Sequence, residues 1–121
     1  MSRLYNILRK FADVEQAPIS ITPSVGSLKE ANAFKSGRVV HLMLLVYNTA
    51  SVVPGDNVFE GTITTEGLIP KAQTSGAAYY AARPFVAVVS ANGLIRVRNT
   101  GSDSFSNNDS SPLYIPFTYL A

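Results

Sequence analysis

Residues 38–48 read RVVHLMLLVYN, and as an extended chain this run is apolar on both of its sides. Alternate residues of a strand point to opposite faces. Val39, His41, Met43, Leu45 and Tyr47 fall on one side, and Val40, Leu42, Leu44 and Val46 on the other. A half-buried surface strand alternates apolar with polar residues, and this one does not. Either a second layer of the same fold or another copy of the chain is therefore expected over its second face. The closing segment, residues 113–120 (LYIPFTYL), repeats the two-sided pattern. Two such strands favour an assembly over a catalyst.

Working outward, every signal from Ile19 onward is β. Candidate strands cover residues 19–22, 25–34, 38–49, 57–64, 77–82, 85–91, 94–100 and 112–120. Turn formers separate them: Ser36-Gly37, Pro54-Gly55, Gly67, Gly76 and Asn92-Gly93. Short strands at this spacing predict an all-β chain, a jelly-roll-like antiparallel β-sandwich. The sharpest local signal is Asn92-Gly93, which suits the two positive-φ positions of a type I′ hairpin turn. A two-residue loop pairs Ala91 with Leu94, Ser90 with Ile95, Val89 with Arg96 and Val88 with Val97. In that register Val86, Val88, Ile95 and Val97 share the core face. Arg96 and Arg98 then lie outside beside Val89 and Ala87, facing solvent, a neighbouring subunit or a ligand.

The start of the chain has a different period. Leu4, Ile7, Phe11 and Val14 are spaced as the a and d positions of two heptads. In this register Lys10 and Glu15 have the spacing of an interchain g–e′ ion pair. Ser2 suits an N-cap, and Pro18 closes the helix. A helix this short is marginal alone in water, so it needs a surface. It either docks on its own sheet or joins a parallel bundle between chains, with Leu8 widening the stripe. A membrane-surface role suits it less, because its polar face is not strongly basic. The expected organisation is an N-terminal helix over residues 1–17 for attachment and trimerisation, and a β-sandwich head over residues 18–121.

Composition narrows the function classes. At 121 residues the chain is one domain, and a domain of this size buries roughly two thirds of its unfolded surface. Cysteine is absent, so disulfides and thiol chemistry are excluded. Charged residues make up 15% of the chain, against roughly 25% in ordinary domains. With 46% hydrophobic residues, this points to surface hidden in an oligomer. The net charge is +2 and the ten basic residues are scattered, so the basic stripe of a nucleic-acid binder is missing. No apolar run is long enough to span a bilayer as a helix, and no membrane insertion is expected.

Catalytic patterns are not found. His41 is the only histidine, within the most apolar strand, and reads as a hydrogen-bonded core or interface residue. There is no G-x-S-x-G elbow, Walker loop or H-E-x-x-H motif. Without cysteine and with one histidine, a zinc site would need mostly carboxylates. The eight carboxylates are dispersed, and only an accident of folding would pair Glu60 with Glu66 as a glycosidase requires. Residues 103–109 fail as a calcium loop, because Phe105 interrupts the ligand pattern. No enzyme activity, cofactor or metal is expected. Binding has more support. Tyr79 and Tyr80 must face opposite ways in a strand, and an outward tyrosine near Arg83 suits stacking on a sugar ring.

The punctuation of the β region resembles the small trimeric β-domains of phage and prophage tail-fibre or receptor-binding proteins. The matching pieces are Phe34 with Gly37 ahead of the long strand, Gly55 in the turn after it, and Phe59-x-Gly61. Pro70, Asn92-Gly93-x-Ile95-x-Val97 and Phe117-x-Tyr119 complete the match, which spans residues 25–120. The resemblance implies a homotrimeric virion protein that attaches to other virion or tail components through its N-terminal segment. It implies a head that recognises a host-surface glycan or protein. The stalk is nearly absent, so tail fibre, baseplate and capsid decoration all stay open. Arg9, Lys10 and Asp13 interrupt the early apolar positions, so no signal-peptide core forms and synthesis in the bacterial cytoplasm is expected. Alternatives from other classes are a bacterial carbohydrate-binding or adhesin module and a trimeric ligand of the tumour-necrosis-factor or C1q type.

Three placements follow from this reading. One face of residues 38–48 and the closing strand should meet other subunits, because together they exceed the ~300–600 Å² apolar patch usual on a monomer. Leu4, Ile7, Phe11 and Val14 should face other helices at a three-fold axis. Alternating strand directions are taken to bring residues 65–76 and 99–111 to one end, with residues 49–56 and 92–93 at the other. Recognition is assigned to the first end, to Ser102, Asp103, Asn107, Asn108 and Asp109 with Tyr80, since their hydroxyl, amide and carboxylate groups suit polyhydroxylated ligands.

Overall fold

The computed structural model describes residues 14–80 and 83–121. Among these, nine strands form two antiparallel sheets: β1 (Val14–Ala17), β2 (Ile21–Val25), β3 (Ser27–Ser36), β4 (Val39–Tyr47), β5 (Asn57–Ile63), β6 (Thr74–Gly76), β7 (Phe85–Val89), β8 (Leu94–Asn99) and β9 (Leu113–Leu120). One sheet has the order β1-β3-β4-β9 and the other β2-β5-β8-β7-β6. The described residues are thus all-β and fold as a sandwich. Its core lies between the inner faces, where Val40, Leu42, Leu44 and Val46 of β4 are fully buried. Leu113, Ile115 and Phe117 of β9, Ile95 and Val97 of β8, and Phe59 and Ile63 of β5 pack against them. Each such aliphatic or aromatic side chain contributes about 1.5–3 kcal/mol by leaving water.

Three strand pairs act as ribbons that pass from one sheet to the other: β2 into β3, β4 into β5, and β8 into β9. The first lies against the second (β2 on β5, β3 on β4), and the second against the third (β5 on β8, β4 on β9). All three cross at one end of the sandwich, at Gly26, residues 48–56 and residues 100–112. At Gly26 φ is +72°, and a Cβ would stand 2.6 Å from the Val58 carbonyl oxygen. Only glycine fits there, so the first ribbon turns its corner in a single residue. Strands β6, β7 and β8 form a meander, and β5 returns beside β8, which makes β5-β8-β7-β6 a Greek key.

The structure departs from the sequence reading in four places. Val14–Ala17, expected to end the N-terminal helix, is strand β1, with Glu15 opposite Lys35 of β3. The sheet edge offers these residues backbone partners that a marginal helix end lacks. Leu4, Ile7 and Phe11, and with them the expected helical seam, lie outside the described residues, and Val14 belongs to the sheet.

Of the strand expected at residues 77–82, residues 81 and 82 lie outside the described residues, and residues 77–80 form one isolated bridge, between Tyr79 and Tyr114, after the short strand β6. The chain meets the edge of β9 on both sides of β6: Lys71 N donates to Leu120 O at 3.0 Å before it, and Tyr79 N to Tyr114 O at 2.8 Å after it.

The β7–β8 hairpin closes with three residues, not two. Ser90 N donates to Leu94 O and Gly93 N to Ser90 O, both at 2.9 Å, with φ at Gly93 of +87°. This is a turn followed by a left-handed glycine, the usual three-residue hairpin. Val89 therefore pairs with Ile95, Val88 with Arg96 and Ala87 with Val97. A one-residue slip exchanges the faces of β7. Ala87 and Val89 are in the core, whereas Val86 and Val88 stand outside with Arg96 and Arg98.

The loop ends are also regrouped. Because β8 runs antiparallel to β5, Arg98 lies opposite Asn57, and residues 99–111 emerge beside residues 49–56. Val52 and Phe105 form a bridge between these two loops. Residues 64–73 share the opposite end with the hairpin, where Ile63 N donates to Gly93 O at 2.9 Å.

Candidate functional site

Two asparagines at the loop expected to carry recognition act as structural clamps. Asn107 is buried, its Oδ1 accepts from Asn48 N at 2.8 Å, and its Nδ2 donates to Val46 O at 3.3 Å and Ser111 O at 3.0 Å. The fully buried Asn99 acts likewise, with Nδ2 donating to Val52 O at 3.1 Å and Asp103 O at 2.9 Å. These amides bond backbone groups at the corner where the ribbons change sheets. Phe105 is buried in a small satellite core with Val52 and Val58.

The other residues assigned to recognition are not brought together in one pocket. Ser102, Asp103, Asn108 and Asp109 are exposed. Asn108 Oδ1 accepts from Ser110 N at 3.0 Å, and the Asp109 carboxylate lies 3.3 Å from Lys29 Nζ. Tyr80 is the inward member of its pair: it meets Phe105 edge-on at 5.0 Å, and its hydroxyl accepts from Ser111 Oγ at 3.0 Å. Tyr79 is the outward one, 61% exposed and stacked on Tyr114 at 6.2 Å. Arg83 caps the Phe105 ring at 5.2 Å and donates to the Asp103 and Ser104 carbonyls, at 3.2 Å and 3.1 Å. It is thus committed to the fold.

Two outer faces are open instead. On the first sheet, Met43 and Leu45 are half-buried and His41 is exposed, so the second side of β4 is not covered by the described residues. His41 is accordingly a surface residue, with Nδ1 3.0 Å from Thr118 Oγ1. Directly opposite residues of antiparallel neighbours share a face. Phe34 and Asn32 of β3, and Tyr114 and Pro116 of β9, therefore join this surface. A hollow of about 220 Å³ lies between Met43, Leu45, Asn32, Glu30 and Tyr114. Glu30 is the one charged residue among those that line it.

The outer face of the second sheet has a different chemistry. A hollow of about 350 Å³ is lined by Arg96 and Arg98, by Val88 and Val86 opposite them on β7, and by Asn57, Gln73 and Gly55. Arg98 is held in place because Nε donates to Gly55 O at 3.0 Å. Arg96 makes no hydrogen bond or ion pair with any described residue. Glu60 faces it across the ladder, but Glu60 Oε1 accepts from Asn57 Nδ2 at 3.0 Å. Both arginines were in view in the sequence, but the valines beside them were misassigned by the one-residue slip.

Among the described residues no group of three or more histidine, cysteine or carboxylate side chains is placed to hold a metal, and no helix is long and apolar enough to cross a membrane. Burial pushes the Tyr119 hydroxyl up to about 12, and this group donates to Leu68 O at 2.6 Å. It ties residues 64–73 to the core and plays no part in either face. No protein-family model and no curated protein matches this chain.

Proposed function

We propose that this chain is the head domain of a phage or prophage virion protein, a β-sandwich that assembles as a homotrimer and attaches the particle to a host-surface ligand. The observation that carries the reading is the outer face of β3, β4 and β9. Phe34, Met43, Leu45 and Tyr114 gather there on the longest strands of the fold, in a chain with only 15% charged residues. Its occupant in this reading is a second copy of the same chain. A sheet face whose hollow holds one carboxylate, Glu30 hydrogen-bonded by Asn32 Nδ2 at 2.8 Å, suits burial against an equally apolar face, since few charged groups have to be desolvated there. With that face taken up by assembly, the second sheet and the loop ends are left for recognition. Attachment to the rest of the particle is assigned to residues 1–17.

Light scattering tests the assembly. Three times the 13.0 kDa protomer mass is expected at micromolar concentration, and a monodisperse monomer overturns the reading. Glycan-array binding by the same preparation tests attachment.

A further inference from the structure

We infer that the hollow on the outer face of the second sheet binds the carboxylate of an acidic saccharide, with Arg96, which has no partner among the described residues, as one cation and Arg98 as the fixed one. The inference rests on the attachment reading and adds to it a site and a ligand class. Arg96 and Arg98 are alternate residues of one strand, so both guanidiniums project from the same face. A guanidinium offers parallel N–H donors that match a carboxylate in two-point contact. Arg98 already spends one donor on Gly55 O, which fixes its plane and lowers the ordering cost of binding. Arg96 has no partner among the described residues, and its ladder neighbour Glu60 is engaged by Asn57.

The rest of the hollow fits a sugar ring. Val86, 48% exposed, and Val88 form an apolar floor for the C–H face of a pyranose. Asn57 and Gln73 at the margin offer amide donors and acceptors for its hydroxyls. Local charge selects the class of anion. Two guanidiniums and the Glu60 carboxylate leave one net positive charge, which complements a monocarboxylate better than a doubly charged phosphate.

The test titrates the full-length chain with sialyllactose, digalacturonate, lactose and inorganic phosphate, with light scattering on the same samples. Binding of either carboxylated sugar, with none of lactose, is expected, and the affinity should fall as salt is raised. Arg96→Ala should weaken it on the order of tenfold or more while leaving the melting temperature unchanged. Arg98→Lys keeps the charge but loses the fork, and should weaken it as well. Phosphate binding as tightly as the sugars, or sugar binding that survives Arg96→Ala, overturns the assignment. No binding by a sample of trimer mass overturns the site and leaves the assembly standing, whereas a monomer mass overturns the assembly and is read independently of the titration.

Discussion

Among the described residues, the most apolar strand of this protein leaves one side open, and the most polar stretch buries two of its amides. In β4, Leu42 and Leu44 are fully buried while Met43 and Leu45 between and beside them are only half covered. In residues 99–111, Asn99, Phe105 and Asn107 are buried while Ser102, Asp103 and Asn108 stand in solvent. Polarity alone sorts neither region. Apolar side chains in β4 are buried where the opposing sheet supplies a surface. Amides in the loop are buried because three ribbons change sheets there and leave backbone groups that need partners. The contrast separates apolar surface that the described residues leave uncovered from polarity kept for the fold.

The largest effect should come from dividing β4 by face. Leu44→Ala, on the inner side, should cost about 2–5 kcal/mol in denaturant titration, whereas Leu45→Ala should cost a small fraction of that in the isolated protomer. Equal losses would mean that the outer side is buried as well. Leu45→Glu addresses the outer side directly. It should reduce the mass in light scattering from three protomers to one, because a carboxylate would otherwise be buried without a partner. Protomer concentration must be held constant throughout, since assembly adds to apparent stability.

The loop divides in the same way, on a smaller scale. Asn107→Ala removes the partners of Asn48 N, Val46 O and Ser111 O, and should cost about 1–3 kcal/mol as water reaches part of the vacated space. Asn108→Ala should stay within about 0.5 kcal/mol, as surface changes do. If the two variants melt alike, the buried amide is not the clamp described here.

The smallest effect is confined to alkaline solution. The Tyr119 hydroxyl is raised from 10.0 to about 12 in the folded chain, so the unfolded chain ionises first. The stability tied to this group is complete below pH 10 and is lost as pH rises through about 12. Tyr119→Phe should remove this component from the alkaline limb of a stability–pH curve. An unchanged limb would show that Tyr119 does not control it.

Much of the fold was legible in the sequence. Period-two apolar runs marked most of the strands, because an inner face of Val, Leu, Ile and Phe is what a sandwich requires. Residues 77–80 failed as a strand, since the partner of Tyr79 is Tyr114 on the edge of β9, more than thirty residues away in the chain. The hairpin failed by one residue because Asn-Gly serves two loop lengths, and only the ladder around Val89 and Ile95 selects between them. That single residue decided whether Val86 and Val88 line the core or the floor of the arginine hollow. The amide clamp was hidden too, because a Ser/Asn/Asp-rich stretch has the same composition whether it is solvated or tied to the backbone.

By itself the sequence determined the all-β class of the head, most strand positions, the two-sided apolarity of β4 and the low share of charged residues. These are local properties, written in side-chain alternation and in the turn-forming residues between strands. Tertiary structure alone decided which loops share an end, which face of β7 is inside, which tyrosine points outward and which asparagines are buried. Each of these depends on register between segments distant in the chain. A shift of one residue there exchanges the two faces of a strand while leaving its composition unchanged.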